Sequence, residues 1–567
     1  MGYIKFDKTQ LINLEYSLEK EIIRSNRAGT YAFTSLIGAN TRRYHGLLAC
    51  PVEILHGTHL LLSSLDETII QHGSSFNLAL HKYPGGVYEP RGHKYIRDFD
   101  TEPNISLIYR VGGVVLKKEM VLITGKEQIL IRYTLIEAHS PTTLQFRPFL
   151  AFRDINTLCK SNTDINSDCI KIKNGIKIKL YDAYPYLHMQ FSKEADFHHS
   201  PNWFYNIEYI RDQRRGYDYQ EDLFVPGYFE LPIKKGETIV FSASTAETNP
   251  AALKKQVDTE LKERIQRGNL ENCLKNSAQQ FIVTLHGKKR IKAGLPWYET
   301  LARDTFIALP GLTLPGKDYD SFHEICEHMI SDMKGGLFTD SLYGQKSCSS
   351  ADAPFWFIWA LQKYGEITCQ YADLWKKYGR TIQLIFSEYE KGIPELNIAI
   401  HENGLIWQGN KQSCFTWMNA VVDGNPVTPR YGYAVEINAL WYNALKFSLD
   451  LARIAEDHTF INKWGHLPEI ISTSFANTFI HEKHGYLVDC VNDEGKCHHL
   501  RPNQIFAASL FYSPVDDENI RKKIVDRVER ELLTCKGLRS LTPNDDAYKG
   551  TYFGDPKTRD SAMHQGS

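Results

Sequence analysis

This 567-residue chain lacks several features that fix a function at sight. Its net charge is −1 with histidines neutral, so it carries no electrostatic footprint for nucleic acid or an acidic membrane surface. Its 11 cysteines are odd in number and scattered, with no CxxC pair, so a disulfide framework is not expected and free thiols in a reducing compartment are. No uninterrupted apolar run approaches membrane-spanning length, and the first residues lack the charged-then-apolar layout of a signal peptide, so a cytoplasmic location is expected. No repeat or low-complexity tract is evident. Cys490, Cys497, His498 and His499 come nearest to a metal cluster, but their spacing fits no common zinc pattern and the loop around Asp493 and Gly495 reads as a turn. Neither a metal nor a cofactor is expected.

What is present describes an ordinary globular protein: 42% hydrophobic and 23% charged residues, on a chain too long for one core. Two or three domains are the default. Aromatics are plentiful (31 Tyr, 28 Phe, 9 Trp), which suits flat ligands such as sugars as well as cores. Residues 1–250 read as short alternating strands, among them Ile105–Val111, Val114–Ile123, Ile129–Leu135, Thr143–Leu150, Ile170–Leu180, Tyr186–Phe191 and Thr238–Ala243. Turn signals such as Gly112-Gly113 and Asn174-Gly175 separate them, which predicts a large antiparallel sandwich. A charged stretch of helical period within 251–285 reads as a helical linker, and 286–567 reads as almost entirely helical. A helical scaffold with loops rich in Trp, Gly and polar residues places its chemistry in those loops.

Four stretches carry candidate chemistry. Trp297 leads into Arg303-Asp304, an aromatic face followed by a fork of donors and acceptors. Taken alone, that pair reads better as a surface ion pair at a helix start, with Asp304 serving the helix dipole; the three stretches downstream shift the balance. Asp352 precedes the apolar run Ala353–Trp359, where an acid is a routine helix-start choice. Trp407 and Trp417 lie ten residues apart in non-periodic, Gly-containing sequence and could wall a sugar subsite. The run Val435–Tyr442 leaves almost no polar face, so Glu436 and Asn438 sit in an apolar setting. There Glu436 is either satisfied by a partner such as an Arg or held for substrate as a general acid with a raised pKa.

On these motifs the chain resembles the bacterial-type glycogen debranching enzymes, the amylo-α-1,6-glucosidases of the glucoamylase-like helical-barrel group. The resemblance rests on Gly294-Leu295-Pro296-Trp297-Tyr298, Leu301-Ala302-Arg303-Asp304-Thr305, Thr416-Trp417-Met418 and Val435–Asn443. A further block, Gly38-Ala39-Asn40-Thr41-Arg42-Arg43-Tyr44-His45-Gly46-Leu47-Leu48, is similar to the family's N-terminal signature. It implies a β-sandwich followed by an (α/α)₆ barrel, and hydrolysis of the α-1,6-linked glucose stub at glycogen or limit-dextrin branch points. Arg303, Asp304 and Asp352, with Trp297, Trp407 and Trp417, form the expected substrate-binding set; glycogen, limit dextrin or maltooligosaccharide is the expected partner. Inverting chemistry of this kind needs an acid and a base roughly 6.5–9.5 Å apart.

Two departures bear on activity. The family usually has Asp after Thr-Trp-Met as the presumed proton donor, where this chain has Asn419. A carboxamide cannot act as that acid, leaving Asp423 or Glu436 as replacements. The match also reaches the family's His-Gln-Gly motif at His564-Gln565-Gly566 and the chain then ends, so a barrel lacking its last helices and its second carboxylate is expected. Leu301-Ala302, where relatives have Trp-Gly, is a milder change. The reading is therefore a debranching-type hydrolase, impaired at Asn419. Its alternatives are a non-catalytic glucan-binding protein of the same family and, more distantly, a disaccharide phosphorylase.

Overall fold

Alternating apolar residues and tight turns build the first half of the chain. The computed structural model describes residues 2–342, 345–413 and 415–566. They divide into two compact units, one of 1–287 with 294–298 and one of 288–293 with 299–567.

The first unit is built on two large antiparallel sheets. One has nine strands, in the order Lys5–Asp7, Ile96–Asp100, Ile105–Val111, Val114–Leu122, Gln128–Glu137, Thr238–Ser244, Leu187–Phe191, Gly175–Ile178 and Ile170–Ile172. The other runs Asp196–Glu208, Gln220–Ile233, Thr142–Asp154, Thr58–Gln71, Gly46–Pro51, Tyr31–Ser35, Glu21–Ser25, with Ser74–Asn77 beside Thr58–Gln71. Val111 pairs directly with Val114 across Gly112 and Gly113, both at positive φ, the two-residue turn that Gly-Gly favours. Leu107, Leu116, Ile131, Tyr133, Leu144, Phe146, Phe229 and Phe241 belong to one buried cluster, the core of a β-sandwich. The long strands Thr58–Gln71 and Gln220–Ile233 escape a period-two reading. Continuous Leu60-Leu61-Leu62 and buried Ser63, Glu67, Glu221 and Asp222 break the alternation. The helices Leu253–Glu263 and Leu270–Phe281, within the stretch expected as a linker, dock on this unit. Leu253 and Val257 pack with Val121, Leu130 and Val240, and Asn276 accepts from Arg24.

The loop Gly38–Leu48 is tied down throughout. Arg42 and His45 both reach Glu21, at 2.6 and 3.1 Å. The Thr41 N–H donates to His45 Nδ1, so Nε2 carries the proton given to Glu21. Arg43 donates to the carbonyls of Asn156 and Asp218, and its own carbonyl accepts from Arg153.

The second unit is mainly helical: Ala302–Thr313, Tyr319–Ser331, Ala353–Thr368, Tyr371–Lys391, Val435–Ile454, His458–Trp464, Leu467–Phe479, Ile505–Ser509 and Glu518–Leu532. Val435–Ile454 is apolar on nearly every side because helices surround it. It touches Ala353–Thr368, Tyr371–Lys391, His458–Trp464, Leu467–Phe479 and Ile505–Ser509. Among the described residues no helix is long and apolar enough to cross a membrane.

Burial pushes the Glu21 carboxyl up, but His45 and Arg42 overcome it and bring it down to about 2 from 4.5. A carboxyl depressed by folding stabilises above its unfolded pKa and loses that contribution as pH falls toward the folded value. At 1.36 kcal/mol per unit, the drop is worth up to about 3 kcal/mol. In urea unfolding, Glu21→Gln should therefore cost most above pH 5 and almost nothing near pH 2. A cost independent of pH would refute this role.

Candidate active site

Three helix starts in the second unit carry the candidate residues: Ala302–Thr313 brings Arg303 and Asp304, Ala353–Thr368 follows Asp352, and Val435–Ile454 brings Glu436. The first orphan amide of the first helix, Ala302 N–H, donates to Asp340 Oδ1 at 2.7 Å. Asp340 also accepts from the Ser349 hydroxyl.

Asp352 does not cap its helix. Its carboxylate, 1% exposed, receives Arg303 Nε at 2.9 Å on both oxygens, Arg303 Nη2 at 2.7 Å and Trp356 Nε1 at 3.1 Å. The helix-start explanation is thus replaced by a charge-assisted clamp on Arg303. Burial works against the Arg303 charge, and Asp352 outweighs it, so the guanidinium is held more firmly protonated than usual. Nη2 also donates to the Phe415 carbonyl at 3.3 Å, and among the described residues none takes Nη1. Asp304 reaches solvent, yet the protein around it desolvates its carboxyl enough to raise its pKa against the pull of Arg303.

Glu436 is satisfied by an arginine, the first of the two alternatives open in the sequence. Arg430 Nη1 and Nη2 grip its two oxygens at 2.6 Å each, with both side chains 2% exposed. Burial and the Asp489 charge push the Glu436 carboxyl up while Arg430 pulls it down, and the net direction is up. Arg430 Nε binds Asp489 as well, at 2.5 Å. One guanidinium therefore joins two buried carboxylates. Arg501 adds a second positive charge 3.6 Å from Asp489. A carboxylate held this way carries no proton to donate, and can take one up to act as an acid only by breaking the pair.

From Asp489 the polar chain continues outward. Asn503 Nδ2 donates to Asp489 at 2.8 Å, and Asn503 Oδ1 accepts from Trp417 Nε1 at 2.8 Å. Trp417 then meets the ring of His564 edge-on at 5.2 Å. Desolvation, Arg501 and Arg430 bring the His564 imidazole down to about 4, so it is neutral at physiological pH. The buried Gln408 amide connects both halves: its Nε2 donates to the Arg430 carbonyl at 2.6 Å, and its Oε1 accepts from Phe415 N at 2.9 Å. Arg303, Asp352, Glu436 and Trp417 thus belong to one hydrogen-bonded framework.

Asn419 is exposed, next to Trp417 and the buried Met418. Asp423 lies at the turn of the hairpin Val421–Pro426 with φ +50°, its exposed carboxylate on Lys557 at 2.6 Å. Trp407 stacks on His401 (5.6 Å, 21°) and meets Tyr433 edge-on. Asn438 fixes the strand that carries Trp407, accepting from Ile406 N–H and donating to the Ile406 carbonyl. Trp297 belongs to the first unit, edge-on to Phe33 and Tyr44 and under the Arg42 guanidinium. Gln408, Asp489, Arg501 and Asn503 were not singled out from sequence. The available signal was a polar residue inside an apolar run, as in Val488-Asp489-Cys490.

Asp489, Cys490 and Cys497 bring three donor atoms within 4.8 Å of one another. Asp489 is already committed to Arg430 and Asn503, and two guanidiniums lie beside it, a poor setting for a cation.

The fold is of the glucoamylase type, a unit of packed antiparallel sheets and a mainly helical unit. A solved bacterial glucoamylase complexed with acarbose matches 92% of this chain and 80% of its own, with a TM-score of 0.53 at 9% identity. A family model described as glycogen debranching enzyme N terminal matches residues 20–240, and one described as amylo-alpha-1,6-glucosidase matches 276–567. The chain belongs to the amylo-alpha-1,6-glucosidase family. A glycogen debranching enzyme of Saccharomyces cerevisiae (strain ATCC 204508 / S288c) is 26% identical across 28% of this chain and 14% of that protein. The matched stretch is thus a small part of that relative's length.

Removing Glu436 leaves Arg430 and Arg501 sharing the single buried carboxylate of Asp489, an excess positive charge that costs roughly 3–5 kcal/mol. Asn419, exposed in a loop, should tolerate alanine within about 0.5 kcal/mol. Urea denaturation of Glu436→Ala and Asn419→Ala measures both. A loss under 1 kcal/mol for Glu436→Ala would contradict the structural role given to it.

Proposed function

We propose that this chain binds the terminal glucose of an α-glucan, and that its reaction is hydrolysis of the α-1,6-linked glucose at glycogen or limit-dextrin branch points. The observation that carries this reading is Arg303: clamped by Asp352, with Nη1 taken by none of the described residues and Asp304 beside it to accept. A sugar hydroxyl is both donor and acceptor, so a fixed guanidinium next to a carboxylate matches two of them without reorganisation. Trp417 and Trp407 supply faces for the ring. Family membership and the glucoamylase fold support a glycosidase reading. No cofactor enters this reaction, and a reducing cytoplasmic setting suits a chain whose described cysteines are all free.

Inverting hydrolysis requires a proton donor on the leaving oxygen and a carboxylate that activates water. Asn419 occupies the position expected for the donor, Glu436 is committed to Arg430, and Asp423 is held by Lys557 at the far end of its hairpin. Binding without efficient cleavage is therefore expected of the chain as it stands. General acid catalysis contributes roughly 10²–10⁴-fold. That specific substitution also favours a second reading, a glucan-binding protein that does not cleave.

Free glucose released from a limit dextrin, with maltooligosaccharide titrated calorimetrically, separates these readings. Arg303→Ala should weaken binding at least tenfold and also lower the thermal melt, because it leaves the buried Asp352 carboxylate without its guanidinium; Asp304→Asn, at an exposed side chain, should weaken binding with the melt in place. Asn419→Asp should raise glucose release by about 10²-fold or more under the hydrolase reading, and leave it at background under the binding-protein reading. Maltooligosaccharide that fails to bind, or binds Arg303→Ala unchanged, would overturn both.

A further inference from the structure

We propose that Cys490 and Cys497 form a dithiol that exchanges with small disulfide compounds, making the hairpin Cys490–Cys497 a reversible oxidation site of this protein. The hairpin has only Asp493 and Glu494 at its turn, Asn492 pairing with Gly495, and its register sets Cys490 directly opposite Cys497. Directly opposed antiparallel residues have Cα atoms about 4.5–5.5 Å apart, inside the 4.4–6.8 Å range of disulfides. The two sulfurs already lie within 4.8 Å of each other, and both are free thiols. Closing the bond asks for side-chain rotation rather than backbone movement.

The two sulfurs differ in the way exchange requires. Cys490 is 1% exposed, whereas Cys497 is only partly buried. Both line a cavity of about 400 Å³ shared with Arg430, Arg501, His499 and Gln565, which gives a small reagent access in a positive setting. A hydrogen bond from the Cys490 thiol favours the Cys497 thiolate, with burial and Asp489 opposing and His499 assisting; Cys490 is shifted the other way. An accessible thiolate beside a resolving thiol is the arrangement of a reactive cysteine pair. Elsewhere, Cys50 and Cys326 are buried, with thiols that desolvation pushes up.

The exchange balances as follows. The Cys497 thiolate attacks one sulfur of a disulfide RSSR, forms Cys497–S–S–R and expels RS⁻, which takes a proton from solvent. Cys490 then gives its thiol proton to solvent, and its sulfur attacks Cys497 Sγ, expelling the second RS⁻. Two protein thiols become one disulfide while one RSSR becomes two RSH. Asp489, which precedes Cys490 and accepts from both Arg430 and Asn503, rides on the same hairpin, as does Ala434 through its pairing with Cys490.

The test incubates the reduced, full-length chain with glutathione disulfide and maps unreduced peptides by mass spectrometry. The expected product is a Cys490–Cys497 link that dithiothreitol reverses. In Cys490→Ser, glutathione should remain on Cys497 as a stable adduct, with circular dichroism checking the fold and Cys490→Ala as a second variant. The proposal is overturned if Cys490 and Cys497 stay unmodified while the exposed Cys369 and Cys535 carry adducts. It is equally overturned if either sulfur links to a different cysteine.

Discussion

Arg430 shared between Glu436 and Asp489 is the constraint on which the rest of the candidate site depends. Three charges buried together are tolerable only if each is paired and the geometry is held. The Glu436 side comes from the start of a helix surrounded by other helices; the Asp489 side comes from a hairpin far along the chain. Satisfying one guanidinium therefore requires the helix and the hairpin to be docked together. Gly432 lies in this joint with φ +92°, where a Cβ would come 2.5 Å from the Val491 carbonyl oxygen. Only a residue without a side chain lets the strand approach so closely.

The polar groups named around that joint mostly hold one another. Asp489 positions Asn503, which positions Trp417, and Gln408 links Arg430 to the loop whose Phe415 carbonyl receives Arg303. At the other end Asp352 spends its carboxylate on Arg303 and Trp356. Among the described residues, Arg303 Nη1, the Asp304 carboxylate and the face of Trp417 are left without a partner. These are donor, acceptor and stacking surface, the set a pyranose ring calls for. Among the described residues of the framework none supplies a free acid at Asn419, and on this rests the proposal that the chain binds a glucan better than it cleaves it.

Much of the architecture could be read in the sequence. Alternation with Gly-Gly and Asn-Gly turns marked the strands Ile105–Val111 and Val114–Leu122 almost to the residue. The all-round apolar run after Tyr433 marked a buried helix. The helix His458–Trp464 and the long strands with buried polar residues were invisible, because their pattern is set by partners distant in sequence. At the site, Arg303, Asp304 and Glu436 stood out as charges in apolar company. What they bond to did not, since Asp489, Asn503 and Gln408 acquire meaning only when folding brings them to an arginine. Asp352 shows the limit clearly: its position before a helix invites a capping role, and tertiary packing gives its carboxylate to Arg303 instead. Trp297, a tryptophan in a sugar-like motif, has Phe33, Tyr44 and Arg42 as neighbours, which its local sequence does not reveal.

The central claim is that Arg303 and Asp304 read a terminal glucose. A crystal structure grown with maltotriose tests it most directly. The account predicts the non-reducing glucose with hydroxyls on Arg303 Nη1 and the Asp304 carboxylate, and the Asp352 clamp unchanged. Maltotriose bound only at another surface, or an Arg303 side chain swung off Asp352 when sugar is present, would contradict it.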